Sequence, residues 1–265
     1  MNPAQQEKAR AFRALHEGEA FVIPNPWDAG SAKVLEALGF KTLATTSSGF
    51  AYTLGRPDGS VGLDELTEHV RTIADATTLP VSVDLENGFG AEPEAASRAI
   101  VAAAGAGAVG GSIEDFGEPD GIYSLDHATE RIAAAVETAR RLDFDFTLTA
   151  RAENHIRGNP DLNDTIARLQ AFERAGADVL YAPGLRSVEG IRAVCDAVGR
   201  PVNVLARPDL SLGEVAEAGG RRISVGGSLA WTAVEAMATV AERMRDDGDF
   251  SGLASPGRIK GWLAG

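Results

Sequence analysis

The sequence predicts an α/β protein of the (β/α)8 barrel type, a TIM barrel. Segments typical of strands and of helices alternate through the 265 residues and form eight strand-then-helix units. No change in composition marks a second domain, and unusual polar residues follow the predicted strands, where barrel enzymes carry their active groups. We therefore expect residues 1–265 to form one barrel domain with a short N-terminal helix and a C-terminal extension. An open, doubly wound sheet is the alternative.

The strands are predicted from short apolar runs rich in β-branched residues, several of which end in polar residues. In chain order they are 21–27, 42–46, 80–86, 109–115, 146–153, 179–183, 201–206 and 222–226. The intervening helices are predicted from helix-forming composition, and several are followed directly by a glycine. They are 29–38, 63–76, 92–104, 126–142, 162–175, 188–198, 212–218 and 230–245. Residues 47–62 are expected to form a long glycine-rich loop.

Acidic residues end the third and fourth predicted strands. Asp84 and Glu86 are two residues apart, so we expect them on one face of the third strand. They repel each other unless a cation lies between them, and Mg²⁺ is the usual partner of such oxygens. A solvated strand end is the alternative for these two residues alone. Glu114 ends the fourth strand and Arg151 the fifth, and strand ends of a barrel meet at one face, so a shared site is predicted.

Composition and charge argue against some classes of binding partner and predict a cellular compartment. The chain is 44% hydrophobic with a formal net charge of −13, which argues against nucleic acid and anionic membranes as partners. No apolar run is long enough to span a membrane, and residues 1–16 lack the apolar core of a signal peptide. One cysteine, Cys195, excludes intrachain disulfides and fits a reducing compartment. We expect a cytoplasmic location.

Several short motifs occur in the order found in one known superfamily. They are Asn25-Pro26-Trp27-Asp28, Thr45-Thr46-Ser47-Ser48-Gly49, Leu54-Gly55-Arg56-Pro57-Asp58, Val83-Asp84-Leu85-Glu86-Asn87-Gly88, Ser112-Ile113-Glu114-Asp115, Thr149-Ala150-Arg151-Ala152-Glu153 and Pro201-Val202-Asn203. In this combination the chain resembles the isocitrate lyase and phosphoenolpyruvate mutase superfamily. The resemblance implies a barrel with a Mg²⁺ site at its C-terminal face. It also implies chemistry on small 2-oxo or 2-hydroxy carboxylic acids through a pyruvate-like enolate.

The resemblance also assigns a metal-binding role to four acidic residues. Asp84 would bind the metal directly, whereas Glu86, Glu114 and Asp58 would bind it through water molecules, as Mg²⁺ prefers. Mn²⁺ could take the same place. Asp58 could instead be an ordinary loop residue.

Further residues are implied to bind the substrate or move protons. Ser47 and the backbone at Ser48 and Gly49 would hold the substrate carboxylate, and Arg151 would complete that pocket. Ser47 could also be a simple turn residue, and Arg151 could form a structural ion pair with a neighbouring acid. Four more residues complete this set: Asn203 toward a distal substrate group, Trp27 as a substrate contact or a packing residue, and Tyr123 or Glu153 as acid or base.

The loop at 116–124 departs from the relatives. Isocitrate and methylisocitrate lyases carry lysine, cysteine and histidine in this loop, and this chain has none of them there. Glu118 and Asp120 would repel a phosphonate, which disfavours C–P chemistry. Decarboxylation of an oxaloacetate-like acid and retro-aldol cleavage remain as the favoured reactions. Phosphonopyruvate-type chemistry, methylisocitrate cleavage and a catalytically reduced 2-oxo acid binding protein are the alternatives.

Schiff-base aldolases and phosphate-binding barrels are two other classes of barrel protein. A Schiff-base aldolase needs a lysine at a strand end, and no lysine of this chain follows a predicted strand. Gly226-Gly227-Ser228 before the last helix could bind a phosphate, although close packing explains these glycines equally well.

The resemblance finally implies self-association. Relatives form tetramers of paired subunits that exchange their last helices, so a homotetramer or a homodimer is expected here. Residues 250–265 contain Leu253, Ile259 and Trp262 and are apolar enough to pack on a neighbouring subunit.

Overall fold

The computed structural model describes residues 3–263, and its main sheet has eight parallel strands. The strands of this sheet, in chain order, are β1 (Phe21–Ile23), β2 (Leu43–Ala44), β3 (Val81–Asp84), β4 (Gly110–Glu114), β7 (Thr147–Arg151), β8 (Val179–Tyr181), β9 (Val202–Leu205) and β10 (Arg222–Ser224). Their order in space is β1-β10-β9-β8-β7-β4-β3-β2. The Ala44 N–H donates to the Pro24 carbonyl at 3.0 Å and joins the two outer strands. The predicted barrel is therefore confirmed.

Helices follow the strands and surround the sheet. They are α1 (Pro3–Leu15), α2 (Ala29–Ala37), α3 (Ser47–Thr53), α4 (Leu63–Ala76), α5 (Pro93–Gly105), α6 (Leu125–Arg140), α7 (Leu162–Arg174), α8 (Val188–Ala197), α9 (Leu212–Glu217), α10 (Ser228–Asp247) and α11 (Ile259–Leu263). No helix within residues 3–263 combines the length and the apolar character needed to cross a membrane.

Two segments differ from the sequence-based expectation of loops. Residues 47–62 begin with helix α3, because the Thr46 hydroxyl accepts a hydrogen bond from the Gly49 N–H at 3.3 Å and caps the helix. Phe50 and Ala51 then bury this helix against the barrel. The expected loop at 116–124 contains a small antiparallel hairpin of β5 (Phe116–Gly117) and β6 (Gly121–Ile122).

The third strand is shorter than predicted. It ends at Asp84, and Glu86 has a left-handed backbone with φ of 48°. The expectation that Asp84 and Glu86 project from one strand face is therefore wrong. Glu86 lies in the turn that follows the strand.

Helix α1 closes the N-terminal end of the barrel. Phe12 is fully buried there, and a Cβ at Gly110 would lie only 2.7 Å from its ring. A side chain at Gly110 would displace Phe12, so this strand position requires glycine. His16, just beyond the helix, uses its Nδ1 to bond the Phe12 carbonyl at 2.9 Å.

Helix α10 leaves the barrel instead of packing along it. Ala230 is the one buried residue of its twenty, and Trp231 and Met237 are 48% and 59% exposed. Helix α11 returns to contact α2. An exposed apolar helix of this length is compatible with the predicted exchange of last helices, which stays a prediction.

The buried side chain of Arg131 ties the loop after β3 to helix α6. Its Nε donates to the Ala91 carbonyl at 2.7 Å, Nη1 to the Glu114 carbonyl at 3.2 Å, and Nη2 to the Gly90 and Asn87 carbonyls. Arg131 is 1% exposed, so water cannot replace these donors easily. The loop that carries Glu86 therefore depends on one arginine.

We expect Arg131→Met to lower the free energy of unfolding by about 3–5 kcal/mol, because it removes the Arg131 donors from four carbonyl oxygens, of which Ala91 alone keeps a side-chain partner, His127, at 2.9 Å. Urea denaturation measures this change. Arg141→Met is the control, since Arg141 follows α6 and its side chain is 75% exposed; it should cost less than about 0.5 kcal/mol. Equal, small effects of both substitutions would contradict the proposed role of Arg131.

Candidate active site

The guanidinium group of Arg151 is the centre of the C-terminal face. Arg151 is the last residue of β7, and its side chain is 13% exposed. It pairs with the carboxylates of Asp84 at 2.8 Å, Glu114 at 2.9 Å and Glu153 at 2.8 Å. Asp84 and Glu114 end neighbouring strands, and the β4–β7 register sets Glu114 directly beside Arg151. Three carboxylates thus surround one buried cation.

Asp84 is fixed by further donors from two loops. The Ser47 hydroxyl and N–H approach its Oδ2 at 3.1 and 3.4 Å, and the Glu86 N–H approaches its Oδ1 at 3.3 Å. These contacts join the start of α3 to the end of β3. The predicted residues Ser47, Asp84, Glu114, Arg151 and Glu153 therefore form one hydrogen-bonded group.

Arg157 supplies a second cation that the sequence interpretation missed. Its guanidinium lies 3.7 Å from Glu114, 3.5 Å from Glu153 and 3.8 Å above the centre of the Phe116 ring. It therefore connects the loop after β7 to the hairpin β5–β6. The sequence does show an arginine six residues after Arg151, but an arginine in a loop is normally solvated, so this position gave no clear indication of a site residue.

Asp115 lies behind this group and supports it. Its carboxylate accepts from the Glu153 N–H at 2.8 Å and pairs with Arg168 at 3.0 Å. Arg168 also donates to the Tyr123 carbonyl at 2.9 Å. These bonds hold the segment that carries Glu153 against the segment that carries Tyr123.

Two connected cavities open from this centre. The inner lobe, about 190 Å³, runs into the barrel between Arg151 and Arg222. The outer lobe, about 630 Å³, lies between the loop after β3 and the hairpin β5–β6. Both lobes are lined by Ser47, Asp58 and Arg151, which therefore mark their junction.

The outer lobe is strongly acidic. Its carboxylates outnumber its two guanidinium groups, and they belong to Asp58, Glu86, Glu114, Glu118, Asp120 and Glu153. Burial, with the nearby charges of Asp84 and Asp58, raises the pKa of Glu86 to about 7. Burial also raises the pKa of Glu114, although Arg151 opposes the change. When these carboxylates are ionised, the lobe carries more negative charge than its two arginines neutralise, and the raised pKa values of Glu86 and Glu114 reflect burial together with that excess.

This donor set fits a hard divalent cation held partly through water. Among residues 3–263, no three histidine, cysteine or acidic side chains converge closely enough to hold a metal ion by themselves. Mg²⁺ is usually bound by one or two carboxylates and keeps several water molecules. One direct ligand at Asp84, with Glu86, Glu114 and Asp58 around it, satisfies that requirement and would offset the excess negative charge.

Other predicted substrate residues have different surroundings. Asn203 is 1% exposed and lines the inner lobe, where its Oδ1 accepts from Arg222 at 2.8 Å. Ser48 also lines this lobe. Gly49 packs against Trp27, and its N–H donates to the Thr46 hydroxyl. Neither Gly49 nor Trp27 lines either lobe. Their predicted substrate contacts remain predictions.

Tyr123 lines the outer lobe but is 6% exposed. Its hydroxyl accepts a hydrogen bond from Asn87 Nδ2 at 3.1 Å, and Arg131 lies 4.7 Å above its ring centre. These contacts connect the hairpin to the loop after β3. They favour a positioning role for Tyr123, and its predicted role as acid or base remains open.

Comparison with known proteins links this geometry to a family. The family model for phosphoenolpyruvate phosphomutase matches residues 12–245. A crystal structure of a protein described as a lyase/mutase, from Burkholderia cenocepacia J2315, is 51% identical with a TM-score of 0.97, and the match covers 100% of this chain and 98% of that one. A phosphonopyruvate hydrolase solved with oxalate and Mg²⁺ is 26% identical with a TM-score of 0.86, covering 97% and 95%.

Two of the relatives with named activities bear on the reaction. An oxaloacetate decarboxylase from Rhodopseudomonas palustris (strain HaA2) is 29% identical over 96% of this chain and 91% of its own. A 2-methylisocitrate lyase from Halalkalibacterium halodurans is 31% identical over 75% of this chain and 67% of its own. The strand-end motifs, the barrel and the extent of the family match agree with one another. This chain belongs to the phosphoenolpyruvate mutase and isocitrate lyase superfamily.

Proposed function

We propose that this protein is a Mg²⁺-dependent carbon–carbon lyase or decarboxylase acting on a small 2-oxo or 2-hydroxy carboxylic acid. An oxaloacetate-like diacid is the best-supported substrate class. The observation that carries the proposal is the buried Arg151, which lies among carboxylates at the junction of two polar cavities. A relative named oxaloacetate decarboxylase supports the reaction, and the phosphonopyruvate hydrolase complex with oxalate and Mg²⁺ supports the cofactor.

The chemical requirement is a place for an electron pair. When a 3-carboxyl group leaves a 2-oxo acid as CO₂, the electrons of the broken C3–C4 bond form an enolate, and C3 then takes a proton from solvent. Bound Mg²⁺ would supply a Lewis acid for the carbonyl and carboxylate oxygens, with Mn²⁺ as a substitute. Asp84 would hold the cation directly, with Glu86, Glu114 and Asp58 acting through its water molecules.

Arg151 has a distinct role in this proposal. Its Nε, Nη1 and Nη2 already face Glu153, Asp84 and Glu114, so the second N–H of Nη1 is the one left to donate to the developing enolate oxygen. Glu153 and Glu114 orient it, because both accept from its Nη2 in the buried centre. The Ser47 hydroxyl donates to Asp84 Oδ2 at the junction of the lobes, and it would donate to a substrate oxygen there only by turning away from Asp84.

The residues of the hairpin β5–β6 favour decarboxylation over retro-aldol cleavage. It brings Glu118 and Asp120 to the outer lobe, together with Tyr123, whose hydroxyl is already bonded to Asn87. Decarboxylation needs no base in this position, whereas retro-aldol cleavage needs a group that removes a hydroxyl proton. The acidic hairpin also disfavours a phosphonate. Retro-aldol cleavage with Glu153 as base is the second candidate, because Glu153 Oε2 accepts no hydrogen bond and has only the ion pair with Arg157 Nε at 3.5 Å.

A substrate panel tests the function. With Mg²⁺, we expect the protein to release pyruvate from oxaloacetate, and we expect little or no cleavage of isocitrate, methylisocitrate or phosphonopyruvate. Chelation with EDTA should remove the activity, and Mn²⁺ should restore it. Coupled lactate dehydrogenase assays measure pyruvate directly. Tight oxalate binding with no turnover of any acid would favour a binding protein, and efficient methylisocitrate cleavage would contradict the argument from the hairpin.

Two variants test the roles of Arg151 and Tyr123 in the reaction. Arg151→Lys should lower the rate on oxaloacetate by about 10²–10³, because one ammonium group cannot pair with three carboxylates and also donate to the enolate oxygen in a fixed plane. Tyr123→Phe keeps the ring and should stay within about tenfold of the unmodified protein. A loss of about 10²–10⁴ in Tyr123→Phe would instead indicate proton transfer by the hydroxyl and retro-aldol chemistry.

We also propose a homotetramer or homodimer in the cytoplasm, with α10 packed on a partner subunit. The support is the exposed apolar surface of α10, including Trp231 and Met237. Trp231→Glu should shift the sedimentation coefficient toward the monomer, because it introduces a charge into the buried interface. A monomeric unmodified protein at micromolar concentration would contradict the proposal.

A further inference from the structure

Ile156 is an apolar residue at the junction of the two lobes. Among residues 3–263, four line both lobes, and three of these are the polar residues Ser47, Asp58 and Arg151. The fourth is Ile156, which is 45% exposed. In the proposed function, the polar groups at this place would bind oxygen atoms of the substrate or the water molecules of its metal. An exposed isoleucine can bind neither, so we expect it to contact a different part of the substrate.

Contacts from two loops hold Ile156 at the junction. It lies in the loop after β7, and its N–H donates to the Glu153 carbonyl at 3.1 Å. Gly184, in the loop after β8, packs against it, since a Cβ there would be only 2.6 Å from Ile156 Cγ2. Gly184 also has a φ of 92°, a left-handed conformation that favours glycine. Isoleucine is branched at Cβ and therefore has few rotamers, so it presents a defined apolar surface.

Two further residues extend this apolar surface into the inner lobe. Pro183 follows β8 and Leu205 ends β9, and both line that lobe. In the barrel of eight strands β9 lies four strands away from β3, so Leu205 lies across the barrel from Asp84. The mouth of the inner lobe therefore has a polar side at Asp84 and an apolar side formed by Ile156, Pro183 and Leu205.

This division of the surface matches the chemistry of the proposed substrate. The carbonyl and carboxylate oxygens of a 2-oxo diacid belong on the polar side, so C3, which carries no oxygen, faces the apolar side. In oxaloacetate C3 carries two hydrogens, and Ile156 would stay largely in contact with water. An alkyl group on C3 would remove apolar surface of both the ligand and Ile156 from water, which favours binding by about fourfold for each added methyl group.

We propose that Ile156 is a specificity-determining residue and that the protein prefers 2-oxo diacids with an alkyl group on C3 to oxaloacetate itself. This inference rests on the proposed function and narrows its substrate class. The simplest such acid is 3-methyloxaloacetate. Its C3–C4 bond breaks to release CO₂, the electron pair of that bond forms the enolate, and C3 takes a proton from solvent to give 2-oxobutanoate.

Three 2-oxo acids that differ by one methyl group each test the apolar contact. They are pyruvate, 2-oxobutanoate and 3-methyl-2-oxobutanoate. Calorimetry with the full chain and Mn²⁺ should show that each added methyl group strengthens binding by about fourfold. In Ile156→Ala each step should fall below about twofold, whereas Ile156→Leu keeps the apolar surface and should restore the steps. Leu212→Ala is the matched control and should leave the series unchanged, because Leu212 is 46% exposed at the start of α9 and lines neither lobe.

Turnover gives a second measurement. The ratio of kcat/KM for 3-methyloxaloacetate to kcat/KM for oxaloacetate should be about three- to tenfold lower in Ile156→Ala than in the unmodified protein. Affinities that do not rise with added methyl groups, or that rise equally in Ile156→Ala, would overturn the inference even if oxaloacetate is decarboxylated. An affinity series that depends on Ile156, without turnover of any acid, would support the apolar contact and contradict the proposed function instead.

Discussion

The buried guanidinium of Arg151 is the interaction on which the site depends. It joins the ends of β3, β4 and β7 through Asp84, Glu114 and Glu153, so the barrel geometry and the site chemistry share the same contacts. Removing Arg151 would take away the cation that these three carboxylates share. The surrounding bonds from Ser47, Asp115 and Arg131 hold the loops that carry these acids. The site is therefore rigid around a cluster with excess negative charge.

The two lobes differ in the residues that line them. The outer lobe is acidic and is bordered by the hairpin β5–β6, which is the part that departs from cysteine-loop relatives. The inner lobe is lined by two arginines, Arg151 and Arg222, and by two carboxylates, Asp58 and Asp84, together with neutral polar and apolar side chains. A small acid at the junction therefore meets both cations and carboxylates, and their placement can orient it.

Much of this arrangement follows from the sequence, because strand and helix periodicity and polar strand ends are local patterns. Asp84, Glu114 and Arg151 were predicted to meet because parallel strands of a barrel end at one face. Helix α3 was missed because Ser47-Ser48-Gly49 reads as a turn, and only the Thr46 cap and the burial of Phe50 make it a helix. Arg131 and Arg222 were missed because a buried arginine has the same local sequence as a solvated one.

A crystal structure of the protein with Mn²⁺ and oxalate tests the central claim directly. The account predicts an anomalous difference peak beside the Asp84 carboxylate, with oxalate bound to the metal and within hydrogen-bond distance of Arg151. Glu86, Glu114 and Asp58 should surround the metal through ordered water molecules. Oxalate bound without any anomalous peak near Asp84, or a peak at a different set of carboxylates, would contradict it.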